Sequence, residues 1–248
     1  MAKTQNTHMD PLLFNILFID IETAATHPNF ESSSERFQEL WLKKIQNLRN
    51  EKELSAAEMY ESRAAIYAEF GQVICIGIGG LYLNEKKELS LKVKSLSAPT
   101  EKELLEQFIE ILENHKAKNS LQLCAHNGKE FDFPYLSRRM LINGLMLPDA
   151  LNLAGKKPWE VNHIDTLELW KFGDYKNYTS LDLLAAVFDI PSSKSDITGA
   201  DVSRVYHQEG DLKKIMEYCA KDVVVLAQLL LKMKSKAVIP PKNISIQS

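Results

Sequence analysis

Hydrophobic and polar positions along the chain separate an early strand-rich half from a late helix-rich half. Residues 14–20 (FNILFID) form an apolar run, rich in Ile and Phe, that ends in acid, which predicts a buried strand carrying carboxylates to its edge. From about Glu31 to Phe70 the chain is charged and free of Gly. Phe37, Leu40, Trp41, Ile45 and Leu48 recur there at three- and four-residue steps, so this stretch reads as a helical insertion after the first strand. Val73–Gly80 (VICIGIGG) predicts a second strand and Leu89–Leu96 (LSLKVKSL) a third, with Lys92 and Lys94 outward. Thr100 with Glu103 three residues on opens a helix whose apolar face is Leu104, Leu105, Phe108, Ile111 and Leu112. A short strand follows at Leu121–Ala125, then a helix over Phe133–Asn143 that stops at Gly144. Residues 146–162 read as loop, and His163–Trp170 fits strand or helix. Helices are expected at about 179–189, 198–208 and 211–236, the second with Gly199 near its start and Gly210 after it. With neither repeat nor linker, one α/β domain over 1–248 is the simplest organisation.

Composition changes this picture little, but it narrows the chemistry. The 248 residues are 45% hydrophobic and 25% charged, an ordinary globular balance with enough chain to bury a core unaided. Cys75, Cys124 and Cys219 are odd in number, far apart and set among apolar residues, so buried reduced thiols are expected rather than disulfides or zinc ligands. The apolar run Leu12–Ile19 is too short for a membrane span and lacks a cleavage site of small residues, which points to an intracellular, cytoplasmic protein with no membrane partner. A formal charge of −3 offers no broad positive field for nucleic acid. Two bound divalent cations would bring it to +1, so a local metal site can reverse the sign where the whole chain cannot.

Acids occur at three places of interest. Asp20 and Glu22, two apart at a strand end, leave one face with α-carbons about 6.5–7 Å apart. Such a pair suits a shared cation, or else a solvated strand end. In AHNGKEFDFPYL (125–136), Pro134 fits a first helical turn and Asp132 its N-terminus, where a plain N-cap would account for it. In YCAKD (218–222), Tyr218 and Asp222 lie one turn apart on one helix face. The same Y-x-x-x-D spacing at Tyr178–Asp182 is explained by a capping-box-like T-x-x-D from Thr179.

In chain order, F-I-D-I-E-T (18–23), N-x-x-x-F-D (127–132) followed by F-P-Y-L, and Y-x-x-x-D (218–222) resemble the DEDD superfamily of 3′-5′ exonucleases. The match is with its tyrosine subgroup (DEDDy), and among these with stand-alone exonucleases related to the proofreading domain of family B DNA polymerases. The resemblance spans about residues 14–235. It implies an RNase H-like fold, a mixed five-stranded sheet flanked by helices, with the stretch at 31–70 as a helical insertion. It further implies that Asp20, Glu22, Asp132 and Asp222 bind two divalent cations, Mg²⁺ or Mn²⁺, with Tyr218 the tyrosine of the third motif. Thr23, Asn127 and Phe131 match positions that support the substrate's terminal nucleotide. Two such ions roughly 3.5–4 Å apart would activate water for in-line attack on the last phosphodiester and stabilise the leaving 3′ oxygen. A Tyr218 phenol with an ordinary pKa of about 10 would orient that water rather than deprotonate it.

The implied activity is metal-dependent hydrolysis of single-stranded DNA, or RNA, from its 3′ end to nucleoside 5′-monophosphates. The alternatives are a catalytically inactive nucleic-acid-binding scaffold of the same fold and an RNA-trimming exoribonuclease. Weaker signals surround these motifs. Arg138 and Arg139 suit phosphate contact or a solvated helix face. Lys194, Ser195 and Asp196 form a polar loop that could close on substrate, although loops before helices often look alike. Asp165 and Trp170 suit the core or support of the site, while His126 and His163 lack partners at metal-ligand spacing and read as structural. Aromatic residues at 8% allow one or two base-stacking contacts.

Overall fold

The structure is a computed structural model that describes residues 10–174, 178–191 and 196–247. Its strands are β1 (Ile16–Ala25), β2 (Gly71–Leu83), β3 (Leu89–Leu96), β4 (Gln122–Ala125), β5 (Ile164–Asp165) and β6 (Ile244–Gln247). They make one mixed sheet of six strands in the order β5-β4-β1-β2-β3-β6. The three long strands run antiparallel in a meander, whereas β4 joins β1, β5 joins β4 and β6 joins β3 in parallel. Five strands were expected; the sixth, β6, is four residues long and lies behind Pro240 and Pro241, too short for a periodicity to register.

Strand β1 is buried on both faces, and its alternation decides what covers each. Leu17, Ile19 and Ile21 pack with Leu104, Leu105, Phe108 and Leu112 of α3 (Glu101–Glu113) and with Phe133, Leu136 and Met140 of α4 (Asp132–Ile142). Ile16 and Phe18, on the opposite face, pack with Ala220, Val223, Leu226, Ala227 and Leu230 of the long helix Leu212–Met233. Three layers result: helices, sheet, helix.

The expected caps largely form. Thr100 and Glu103 complete a reciprocal capping box on α3, and α4 ends before Gly144, whose φ of +70° suits its place past the C-cap. Ser180, not Thr179, caps the helix Leu181–Val187, since it is the Ser180 side chain that accepts from the Leu183 amide. The undecided 163–170 segment is both types in turn: β5, then a short helix α5 (Thr166–Lys171) capped by Asp165. The helix expected at 198–208 is a single α-turn, Val202–Arg204, that widens into a π-turn over Val205–Glu209. The polar loop expectation at Lys194 and Ser195 falls outside the described residues.

The insertion comprises α1 (Glu35–Ile45), α2 (Ala56–Arg63) and a 3₁₀ turn at Ala64–Ile66. Its centre is Trp41, fully buried among Tyr60, Tyr67 and Phe70, with its indole N–H donating to the Ala56 carbonyl at 3.0 Å. Phe37 and Leu40, expected on the same apolar face, stay exposed. The returning segment is fastened to α4: Tyr135 donates its hydroxyl to the Ala65 carbonyl at 2.8 Å, and Arg139 donates to the Ala68 carbonyl at 2.8 Å. Arg139 also forms a buried pair with Glu101, so the phosphate-contact reading of this residue gives way to a structural one. Arg138 points to solvent. All three cysteines are buried and free, as expected. Among the described residues no helix is long and apolar enough to cross a membrane.

Candidate active site

Asp20 and Glu22 lie on the face of β1 that meets the long helix, here α8 after its short predecessors α6 (Leu181–Val187) and α7 (Val202–Arg204). What lets α8 come close is glycine on the neighbouring strand. Gly77 is the register partner of Asp20, and a Cβ built there would sit 2.8 Å from the Cys219 Sγ and 2.8 Å from Val223 Cγ2. One at Gly79 would sit 2.7 Å from Val223 Cγ1. Two side chains are therefore left out of β2 so that the helix can lie against the sheet, which carries Tyr218 and Asp222 to the acids of β1.

Asp132 arrives from the other side. The parallel pairing of β1 with β4 covers only Ile16–Phe18, so the β1 edge beyond is open. The amide of Ile21 on that edge bonds the Asp132 carboxylate, which also bonds its own amide. Asp132 is the first residue of α4 rather than its cap; the N-cap position belongs to Phe131 and makes no side-chain cap bond. The loop before it is organised by Asp165, whose buried carboxylate accepts from the amides of Asn127 (2.9 Å), Lys129 (3.1 Å), Leu167 (2.9 Å) and Glu168 (3.3 Å). Asn127 sits in that turn at φ +64°. Asp165 is thus a support for the site, and the role left open from sequence is settled by these four bonds.

Four carboxylates from three distant stretches therefore share one buried locus. Glu22, Asp132 and Asp222 are buried, with Asp20 part-buried. Burial first, and then the charges of its companions, hold Asp20 and Glu22 well above the usual carboxylate range. Burial likewise pushes Asp132 up to about 7, with the Asp165 charge adding to it and the two amides opposing. Tyr218 bonds Asp222 through its hydroxyl; burial and the charges of Asp222, Glu22 and Asp20 raise its pKa, so it keeps its proton. Cys219, treated from sequence only as a core thiol, places its Sγ 3.4 Å from Asp20 Oδ2. Its position next to Tyr218 in the third motif was the available signal.

The supporting positions divide. Thr23 is buried and hydrogen-bonds the Tyr135 hydroxyl, so its side chain links β1 to α4. Phe131 is half-buried with its ring 5.2 Å from that of Tyr135. His126 is held by Thr166 Oγ1 at 2.9 Å and the Thr179 carbonyl at 2.8 Å, and His163 by the Leu123 amide and the Ala150 carbonyl, which bears out structural roles for both. Trp170 packs against Phe188.

The donor set fits hard divalent cations. Glu22 is nine-tenths buried with no hydrogen-bond donor among the described residues, and after burial the charges of Asp20 and Asp222 act on it most. Ligand atoms of Asp20, Glu22 and Cys219 lie within 4.8 Å of one another. Ionised acids so placed repel one another, and a cation among them removes that repulsion.

Comparison with known proteins bears on the fold and the family. In fold, the chain resembles the family B DNA polymerase of the hyperthermophilic archaeon Pyrobaculum calidifontis, with a TM-score of 0.51 at 15% identity over 87% of this chain. It spans only 24% of that polymerase's length, and its mixed six-stranded sheet flanked by helices is of the RNase H-like kind. No curated protein matches. A family model described as a predicted 3′-5′ exonuclease related to the exonuclease domain of PolB matches residues 67–237, which hold Asp132, Tyr218 and Asp222 and begin after β1. Since that match covers more than half of the chain, the protein belongs to this family of predicted 3′-5′ exonucleases related to the exonuclease domain of PolB.

Proposed function

We propose that this protein is a 3′-5′ exonuclease of the tyrosine-containing DEDD type, one domain over 1–248, that releases nucleoside 5′-monophosphates from 3′ ends of single-stranded DNA. The observation that carries the reading is the convergence of Asp20, Glu22, Asp132 and Asp222 in one buried locus, with the Tyr218 hydroxyl on Asp222. These four acids would hold two divalent cations, Mg²⁺ or Mn²⁺, whose Lewis acidity would stabilise charge on the phosphoryl oxygens and acidify water. Tyr218, protonated across the physiological range and with its hydrogen committed to Asp222, keeps lone pairs free to accept from an attacking water. It orients that water rather than deprotonating it.

Thr23 follows Glu22 on β1, and Asn127 and Phe131 lie in the loop before Asp132, positions that would support a terminal nucleotide. A retired scaffold is disfavoured by cost, because carboxylates packed together without a counter-charge are destabilising unless a cation repays them. Purified protein with Mg²⁺ or Mn²⁺ and 5′-labelled DNA strands should yield a ladder shortening from the 3′ end and free mononucleotides. Asp20→Ala should abolish both. Absence of mononucleotide release from DNA and RNA alike, or equal activity in the variant, refutes the reading; release from RNA alone moves the substrate to RNA.

A further inference from the structure

Helix α4 buries Leu136 and Met140 against the sheet, while Pro134, Arg138 and Leu141 follow one another on its outer face at steps of four and three. Such a face is ordinarily polar, yet Leu141 is 61% exposed. Opposite it, the loop between α4 and β5 presents Leu147, Leu153, Ala154 and Val161, and the two walls enclose a groove of about 710 Å³ with the buried Phe133 and Leu151 at its base. Both walls are fixed. Ser137 Oγ bridges the Phe133 and Leu151 carbonyls at 2.8 and 2.9 Å, and His163 meets the Ala150 carbonyl at 2.6 Å, so the groove exists before anything enters it.

The charges around this apolar bed do not cancel. Its two acids are already matched, Glu168 by Lys129 at 2.6 Å and Glu130 by Lys171 at 3.8 Å. Arg138 and Lys156 also line the groove, are exposed, and have no acidic partner among the described residues. The unmatched charge is therefore positive, in a chain whose formal charge is −3. We propose that this groove docks a short acidic segment of another protein, whose apolar side chains fill the bed while its carboxylates meet Arg138 and Lys156.

The lining selects among occupants. Phe133 is the one aromatic residue of the groove and is fully buried, so no ring faces outward for a base to stack on, and two unmatched cations are a small footprint for a phosphate backbone. Aliphatic walls suit peptide side chains such as Leu, Ile or Phe, and cations at the mouth suit carboxylates beside them. A second copy is disfavoured by symmetry, because two molecules meeting groove to groove would set Arg138 and Lys156 against their own counterparts. Docking here needs neither metal nor turnover, so it stands or falls apart from the nuclease reading.

The test uses the full chain in EDTA and reads fluorescence anisotropy of three labelled hexapeptides: DLDELF, its basic counterpart KLKKLF, and DSDESS, which keeps the acids without apolar side chains. DLDELF should bind about tenfold or more tighter than either of the others, and more weakly as salt rises. Leu141→Glu, and Arg138→Glu combined with Lys156→Glu, should each weaken it about tenfold or more, with Tm unchanged because all three side chains are exposed. The charge-reversed protein should instead prefer KLKKLF, a switch that loss of packing alone does not produce. Three peptides bound alike or not at all, or variants with wild-type affinity, overturn the proposal. Displacement of DLDELF by an oligothymidylate assigns the groove to nucleic acid, and a dimer that is lost in Leu141→Glu assigns it to a second copy; either result overturns the proposal as well.

Discussion

Asp132→Asn should make the metal-free protein more stable while it removes activity. The carboxyl is pushed from an ordinary 3.8 to about 7, chiefly by burial, so the folded state holds a proton that the unfolded chain has released between those values. Stability therefore falls as pH rises from about 4 to about 7, and above that range the full penalty for keeping Asp132 ionised is present. At about 1.4 kcal/mol per pH unit, a gap of roughly three units amounts to about 4 kcal/mol. In a chain of this length that corresponds to about 8 °C or more in Tm. Asparagine is nearly isosteric, and its carbonyl can still accept from the Ile21 amide, so the charge is removed without a cavity. Thermal melts in EDTA at pH 8 should place the variant above wild type, with a shallower pH dependence between 5 and 7. Added Mg²⁺ should raise wild type more than the variant. A metal-free variant that melts with or below wild type at pH 8 would refute the account of a strained acidic locus.

Further expectations follow from the contacts around the site. Tyr218→Phe should lower kcat about tenfold or more with the Mg²⁺-induced rise in Tm retained, because the ring stays and only the water-orienting hydroxyl goes. Gly77→Ala should cost about 1–3 kcal/mol and most of the activity, read by melting and mononucleotide release, since its Cβ would meet Cys219 and Val223 at 2.8 Å. Arg139→Ala should cost about 3–5 kcal/mol in denaturant melts, because it leaves Glu101 buried without its partner.

The motifs were legible because each is compact in sequence: D-I-E at a strand end, F-D at a helix start and Y-x-x-x-D on one helix turn. The resemblance implies their convergence, but how the fold achieves it was not legible, since that depends on residues that carry no chemistry. Gly77 and Gly79 read as ordinary members of the apolar run VICIGIGG, yet their missing side chains set how closely α8 approaches the sheet. Taken by itself, the local spacing around Asp132 fits a plain cap, because it cannot reveal an open strand edge, and the short register of β1 with β4 leaves the Ile21 amide for its carboxylate. Arg139 suits phosphate contact or a solvated helix face in sequence, because nothing local announces the carbonyl of Ala68, seventy-one residues earlier in the chain.

The same long-range logic gives the insertion a place in the argument. Its returning turn offers the Ala65 carbonyl to Tyr135, whose hydroxyl also bonds Thr23, one residue past Glu22. A strand that carries two acids and a helix that begins with a third are thus joined through one buried phenol, seated on a segment outside the three motifs. Tyr135→Phe keeps the ring and its packing against Phe131, so a purely local role predicts a loss of about 1–3 kcal/mol from the unpaired carbonyl and nothing else. If the phenol holds β1 and α4 in register, the variant should also need more Mg²⁺ for half-maximal activity, because Glu22 and Asp132 would no longer be fixed relative to one another. An unchanged Mg²⁺ requirement beside a lowered Tm would leave the insertion as a stabilising element without influence on the site.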